Sequence, residues 1–143
     1  SLEKYVTLFY GELDLETGDF HYSNAGHNYP VLARANGEMV LLETGGPIIG
    51  AFAHLEYTSA NVKINPDDTL FLYTDGLSEA MNAAGEEFGD NRIREHVCTC
   101  RHLPPHELMG HLLTRVREFD PTSPPQDDTT VITVKMMNGI TQA

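Results

Sequence analysis

Apolar residues recur along this chain in two rhythms. Through the first half they come in short β-branched and aromatic runs separated by turn residues, and beyond residue 76 they return every three or four positions. The first rhythm predicts strands and the second helices. Tyr5 to Leu13 reads as a strand, Glu16-Thr17-Gly18 as a turn, and Asp19 to Asn24 as a second strand completing a hairpin. Ala25 to Pro30 is a loop. Val31 to Ala35 and Glu38 to Leu42 flank Asn36-Gly37, the strongest short hairpin signal in the sequence. Gly45-Gly46-Pro47 and Gly50 read as turn glycines in a flexible connector. Leu55 to Ile64 alternates moderately and predicts a strand, which Pro66-Asp67-Asp68 would fold back onto the next one.

That next stretch, Thr69 to Leu77, organises the rest. Leu70 to Tyr73 is continuously apolar, the mark of a strand covered on both faces, and it stops on Asp75-Gly76. A second apolar run, Val131 to Val134 within a strand over Thr129 to Met136, begins about fifty residues on, directly after Asp127-Asp128. Between them Leu77, Ala80, Met81 and Ala84 fit a short helix. Asp90 can cap a helix carrying Ile93, Val97 and Cys100 on one face. Pro104 and Pro105 suit the first turn of the clearest helix, whose stripe is Leu108, Met109, Leu112, Leu113, Val116 and Phe119. Pro121 to Pro125 would end it in an exposed loop. Both central strands are expected to be covered on two sides, by helices on one and a second sheet or subunit on the other.

Composition narrows the function classes. A length of 143 residues with 41% hydrophobic content suits one soluble domain, 1–143. A net charge of −12 with nine Lys and Arg disfavours nucleic acid and anionic membranes as partners. No apolar run is long enough to insert in a membrane. The two cysteines, Cys98 and Cys100, form no disulfide framework, which fits a cytoplasmic location. Cys98-x-Cys100-x-His102, with His106 and His111, is poorly spaced for structural zinc, so core cysteine is the preferred reading.

The chemistry sits in the acidic residues. If the two central strands are antiparallel neighbours, the end of the first lies beside the start of the second. Opposed residues in such a pair are about 4.5–5.5 Å apart at Cα, so Asp75 and Asp127 would converge. Carboxylates that close repel unless a cation lies between them, and oxygen-only ligands suit Mg²⁺ or Mn²⁺. The bland alternatives are turn chemistry at Asp75-Gly76 and a loop cap at Asp127-Asp128. Glu79 is either an outer-sphere residue supporting the ligands or an exposed helix position. His27, in a Gly-His-Asn loop, is read as ordering that loop rather than as a ligand, with a catalytic acid as the sharper option.

Four motifs in order, Asn24-Ala25-Gly26-His27-Asn28-Tyr29-Pro30, Tyr73-Thr74-Asp75-Gly76-Leu77-Ser78-Glu79-Ala80, Glu87-Phe88-Gly89 and Asp127-Asp128-Thr129-Thr130-Val131, resemble the stage II sporulation protein E type of metal-dependent serine/threonine phosphatases, akin to protein phosphatase 2C. The likeness runs from Tyr5 to Lys135. It implies an α+β fold, a mostly antiparallel α-β-β-α sandwich with a binuclear Mg²⁺ or Mn²⁺ site between the sheets. It also implies hydrolysis of phosphoserine or phosphothreonine by a metal-activated water. Asp75 matches a metal ligand, Asp127 matches another, and Asp128 fills the adjacent position; Gly76, Glu79 and His27 are candidates for the surrounding shell. Substrates in the family are phosphorylated regulators of the anti-anti-sigma-factor type. The family's earlier Asp ligands have no counterpart here, so the chain resembles the C-terminal portion of a phosphatase domain lacking its N-terminal part. Two implications follow: the fragment alone is inactive or nearly so, and its unpaired strand edges favour a homodimer. The alternative is a catalytically inactive protein-binding or sensor module of the same fold.

Overall fold

The structure, a computed structural model, describes residues 4–121 and 128–137. In chain order the strands are β1 (Leu8–Leu13), β2 (Asp19–Ala25), β3 (Val31–Ala33), β4 (Met39–Leu41), β5 (Gly45–Gly46), β6 (Ala60–Lys63), β7 (Thr69–Tyr73) and β8 (Val131–Lys135). The helices, α1 (Asp75–Ser78), α2 (Gly89–Thr99) and α3 (Pro105–Phe119), lie between β7 and β8. Two four-stranded sheets form. One has the order β4-β3-β7-β8; in the other β2 pairs with β1, β5 and β6. Every pairing is antiparallel except β2 with β5.

The continuous apolar runs are explained by what covers each face. Val31, Ala33, Phe71 and Tyr73 point to the helices and pack with Ile93, Val97, Leu108 and Leu112. Leu32 and Leu70 point the other way and meet Phe20, Tyr22, Leu42 and Ile64 of the second sheet and its flanks. Alternate side chains of one strand therefore enter two different cores. Each fully buried Leu or Phe contributes about 1.5–3 kcal/mol. The described layers are helix, sheet and sheet, the mostly antiparallel α+β sandwich expected.

Several expectations need correction. Val131 to Lys135 is not enclosed on both sides. Among the described strands β8 is the outer edge of its sheet, and Ile132 is 52% exposed. β6 and β7 do not form a hairpin. β6 pairs with β2, and the Asn65–Asp68 turn, with Asp67 at φ 66°, carries the chain from one sheet to the other. Its fixed point is Asp68, whose carboxylate accepts from Arg34 Nη1 at 2.7 Å and from the backbone N–H groups of Ala35 and Asn65 at 2.9 Å.

Gly45 and Gly46 are not a flexible connector. They run parallel to β2, so close that a Cβ on Gly45 would lie 1.8 Å from the Asn24 carbonyl oxygen. The helix expected through Ala84 is only the single turn Asp75–Ser78, because the chain then doubles back through a Met81–Glu87 bridge. Asp90 does not cap α2 by its side chain; it accepts a 2.6 Å hydrogen bond from the Tyr73 hydroxyl. In α3, Leu108 and Leu112 are buried but Leu113 is exposed, so the stripe is narrower than its sequence suggests. The expected loop after Pro121 lies mostly outside the described residues.

Candidate metal centre

The site builds from the β7–β8 pair. Tyr73 is register partner to Val131, and one step further the Thr74 N–H donates to the Thr130 carbonyl at 3.1 Å. The Thr130 N–H returns a bond to the Thr74 hydroxyl at 3.0 Å. Asp75 and Gly76 thus leave the end of β7 alongside Asp128 and Thr129 as they approach β8. Contact there is tight: a Cβ on Gly76 would fall 2.4 Å from the Asp128 carbonyl oxygen. The two acidic segments, far apart in sequence, meet at one rim.

Asp75 opens α1, and its side chain is exposed. Among the described residues its carboxylate has no hydrogen-bond or ion-pair partner. The strand beneath it is anchored: burial pushes the Tyr73 phenol well above its ordinary range, and the bond to Asp90 adds to this, so Tyr73 remains a donor at any working pH. Gly76 serves close approach of the two segments. Glu79 is exposed, its N–H closing the α1 turn on the Asp75 carbonyl at 2.8 Å. His27 orders its own loop: its N–H donates to Asn24 Oδ1 at 2.8 Å, and its Nδ1–H donates to the Asn28 carbonyl at 3.0 Å. That loop adjoins α1 through Asn28, whose Nδ2 donates to Ser78 Oγ at 3.4 Å.

Asp127 lies outside the described residues. Asp128 is described, and its backbone is at the rim. Among the described residues no three His, Cys, Asp or Glu side chains gather into a metal-binding group. The donors that do reach the rim are oxygens, a set that fits a hard divalent cation and not a soft one. Cys98 and Cys100 pack against the helix-side core, as core cysteines do, and burial raises the Cys98 thiol. Two surface grooves over α2, one along Glu87–Arg94 and one between His96 and Arg115, include none of the rim residues. Sequence reasoning missed Asn28 and Ser78. Ser78 was within view, three residues after Asp75, but its partner fifty residues earlier carries no spacing signal.

Comparison with known proteins decides the family. The family model for stage II sporulation protein E matches residues 1–137. The chain belongs to the SpoIIE family. It is 34% identical over 115 residues to protein IcfG of Synechocystis, across 76% of this chain and 18% of IcfG. It is 36% identical over 75 residues to the phosphoserine phosphatase RsbP of Bacillus subtilis, across 52% of this chain and 19% of RsbP. The SpoIIE-family chain thus spans less than a fifth of the length of these curated relatives.

Among solved structures, the PP2C domain of SiaA from Pseudomonas aeruginosa superposes with TM-score 0.81 at 21% identity, covering 94% of this chain and 53% of that one. The phosphatase domain of SpoIIE from Bacillus subtilis, presoaked with Mn, gives 0.71 at 18%, covering 96% and 59%. RsbX in complex with magnesium gives 0.60 at 17%, covering 89% and 54%. These likenesses establish a PP2C-type fold, of which the chain forms a part.

Proposed function

We propose that residues 1–143 are the C-terminal portion of a metal-dependent phosphatase domain that hydrolyses phosphoserine or phosphothreonine in a regulatory protein of the anti-anti-sigma-factor type. The observation that carries this reading is the β7–β8 pairing, which brings the Asp75 turn against the Asp128 backbone. The family membership and the RsbP likeness support the reaction class. Asp75 and Asp127 are the proposed ligands, with Asp128 adjacent, and Mn²⁺ or Mg²⁺ is the proposed ion. When bound, such an ion activates water and neutralises phosphoryl oxygens. The chain's own part is to hold carboxylate oxygens at the rim, on a strand end fixed by Tyr73 and Thr74. Gly76 lets the opposing segment close in. No side chain is required as a covalent nucleophile.

Binuclear hydrolysis needs two ions roughly 3.5–4 Å apart, and the carboxylates of this portion hold at most a share of that ligand set. The isolated chain is therefore expected to be inactive or nearly so. A cytoplasmic location fits; no described helix is long and apolar enough to cross a membrane. The edge strand β8, with Ile132 exposed, and the open outer face of β1, with Leu8 and Tyr10 exposed, favour a homodimer.

The test is phosphate release from a phosphoserine peptide by the isolated chain and by the full-length protein, each with Mn²⁺. Turnover by the full-length protein alone supports the reading. Turnover by the 143-residue chain refutes the incomplete-site argument. Silence from both leaves a protein-binding module of the same fold.

A further inference from the structure

We infer that Asn28 is a positioning residue for Asp75, acting through Ser78, and that the Asn24–Asn28 loop serves the metal rim by this tie. The inference rests on the metal-centre reading proposed above. α1 is one turn long, too short to hold its own shape, and Thr74 gives it no side-chain cap. The placement of Asp75 must then come from tertiary ties. One is the Thr74–Thr130 bonding on the β8 side. A second is Leu77, 1% exposed in the helix-side core, and a third comes from the loop between β2 and β3.

Asn24, at the end of β2, is 2% exposed and closes the loop from both sides. Its Oδ1 accepts the His27 N–H at 2.8 Å, while its Nδ2 donates to the His27 carbonyl at 3.1 Å and the Leu42 carbonyl at 3.4 Å. A loop held this way presents Asn28 from a fixed base. Asn28 Nδ2 donates to Ser78 Oγ at 3.4 Å, and that hydroxyl donates onward to the Asp75 carbonyl at 3.2 Å. Ser78 is 7% exposed, so water competes little for this chain of bonds. Asn28 lies in the loop that carries the chain from β2 to β3, so the tie links this connection between the sheets to the turn after β7. A rotation of α1 about the end of β7, which would displace Asp75, is opposed by it.

The test compares the wild-type chain, Asn28→Ala, Ser78→Ala and the double variant by three readouts. These are Mn²⁺ affinity by electron paramagnetic resonance, melting temperature, and hydrogen exchange at the Leu77 and Glu79 amides without metal. Expected are about tenfold weaker Mn²⁺ binding in either single variant, as for other residues that orient metal ligands, with little change in melting temperature. The double variant should bind no more weakly than the singles, since both remove one tie. Exchange at Leu77 and Glu79 should quicken while β8 amides are unchanged. Wild-type affinity and wild-type exchange in Asn28→Ala would overturn the inference. So would a general loss of stability in step with affinity, which marks a purely structural role. A wild-type chain that binds no Mn²⁺ sinks the metal reading instead, and the exchange data then decide the tie alone.

Discussion

Gly76→Ala isolates the contact on which the site depends. Gly76 is in the first turn of α1 with ordinary helical backbone, where alanine is normally favoured. From backbone entropy alone the substitution would stabilise by roughly 0.4–1 kcal/mol. The structure reverses that sign. The new methyl would lie 2.4 Å from the Asp128 carbonyl oxygen, 3.1 Å from its carbonyl carbon and 3.2 Å from Thr129 Oγ1. Two of these atoms are backbone, so relief requires shifting the entry to β8. Overpacking of this kind costs about 1–3 kcal/mol, leaving a net loss of up to about 2.6 kcal/mol and about 1.3 kcal/mol at mid-range. For a chain of this length that lowers the melting temperature by roughly 3–7 °C.

Gly110→Ala is the matched control. Gly110 lies in α3 with open space around it, nothing standing within 4 Å of where the new methyl would go, so the same change there should stabilise by about 0.5–1 kcal/mol. The assay is thermal and urea unfolding of the two variants beside the wild type. Equal stabilisation by both would show that the Asp75 turn and the Asp128 segment do not touch, and would refute the reasoning.

Three further outcomes are expected. Asp68→Ala removes the carboxylate partner of Arg34, whose Nη1 keeps only the Lys63 carbonyl, and strands two backbone N–H groups at the turn between the sheets; it should cost about 3–5 kcal/mol in urea denaturation. Phe71→Ala empties a fully buried position in the helix-side core and should cost about 3–5 kcal/mol by the same measurement. His96 is buried between α2 and α3, donating from Nε2 to the Leu108 carbonyl at 3.2 Å, with Arg115 Nη1 at 3.3 Å and Cys100 Sγ at 3.9 Å from Nδ1; the charges of Arg115 and His111 also act on the ring. Burial lowers its pKa below the ordinary 6.5, so the unfolded chain binds the proton more readily. Its stabilising contribution is complete above about pH 6.5 and is lost as pH falls through the folded pKa. Urea midpoints measured at several pH values should fall in that window, and His96→Gln should flatten the fall; an unchanged slope would contradict this origin.

What the sequence disclosed, and what it hid, follows the range of the interactions. The Leu70–Tyr73 run announced a doubly covered strand because each of its side chains enters one of two cores, and the Asn36-Gly37 turn announced its hairpin locally. The antiparallel pairing of β7 with β8 was legible because two apolar runs each bordered an acidic segment; Asp127, the expected partner of Asp75, lies outside the described residues. The parallel pairing of Gly45 and Gly46 with β2 was not, since glycine signals a turn and a close backbone approach alike. The change of sheet after β6 was hidden because Pro66-Asp67-Asp68 looks like any hairpin turn until Asp68 is seen bonding across to Arg34 and Ala35. Asp90 misled for a similar reason: an acidic residue at a helix start suggests a cap, but the Tyr73 hydroxyl from a neighbouring strand claims it. The edge position of β8 was equally invisible, because apolar composition does not report how many neighbours a strand has.

The proposed function requires one divalent ion to touch both segments at once. Paramagnetic broadening of backbone amide resonances by substoichiometric Mn²⁺ tests it most directly on the isolated chain. Amides around Asp75–Glu79 and around Asp127–Thr130 should broaden together, and Asp75→Asn should remove both effects. Broadening confined to one segment, or surviving unchanged in Asp75→Asn, would contradict it.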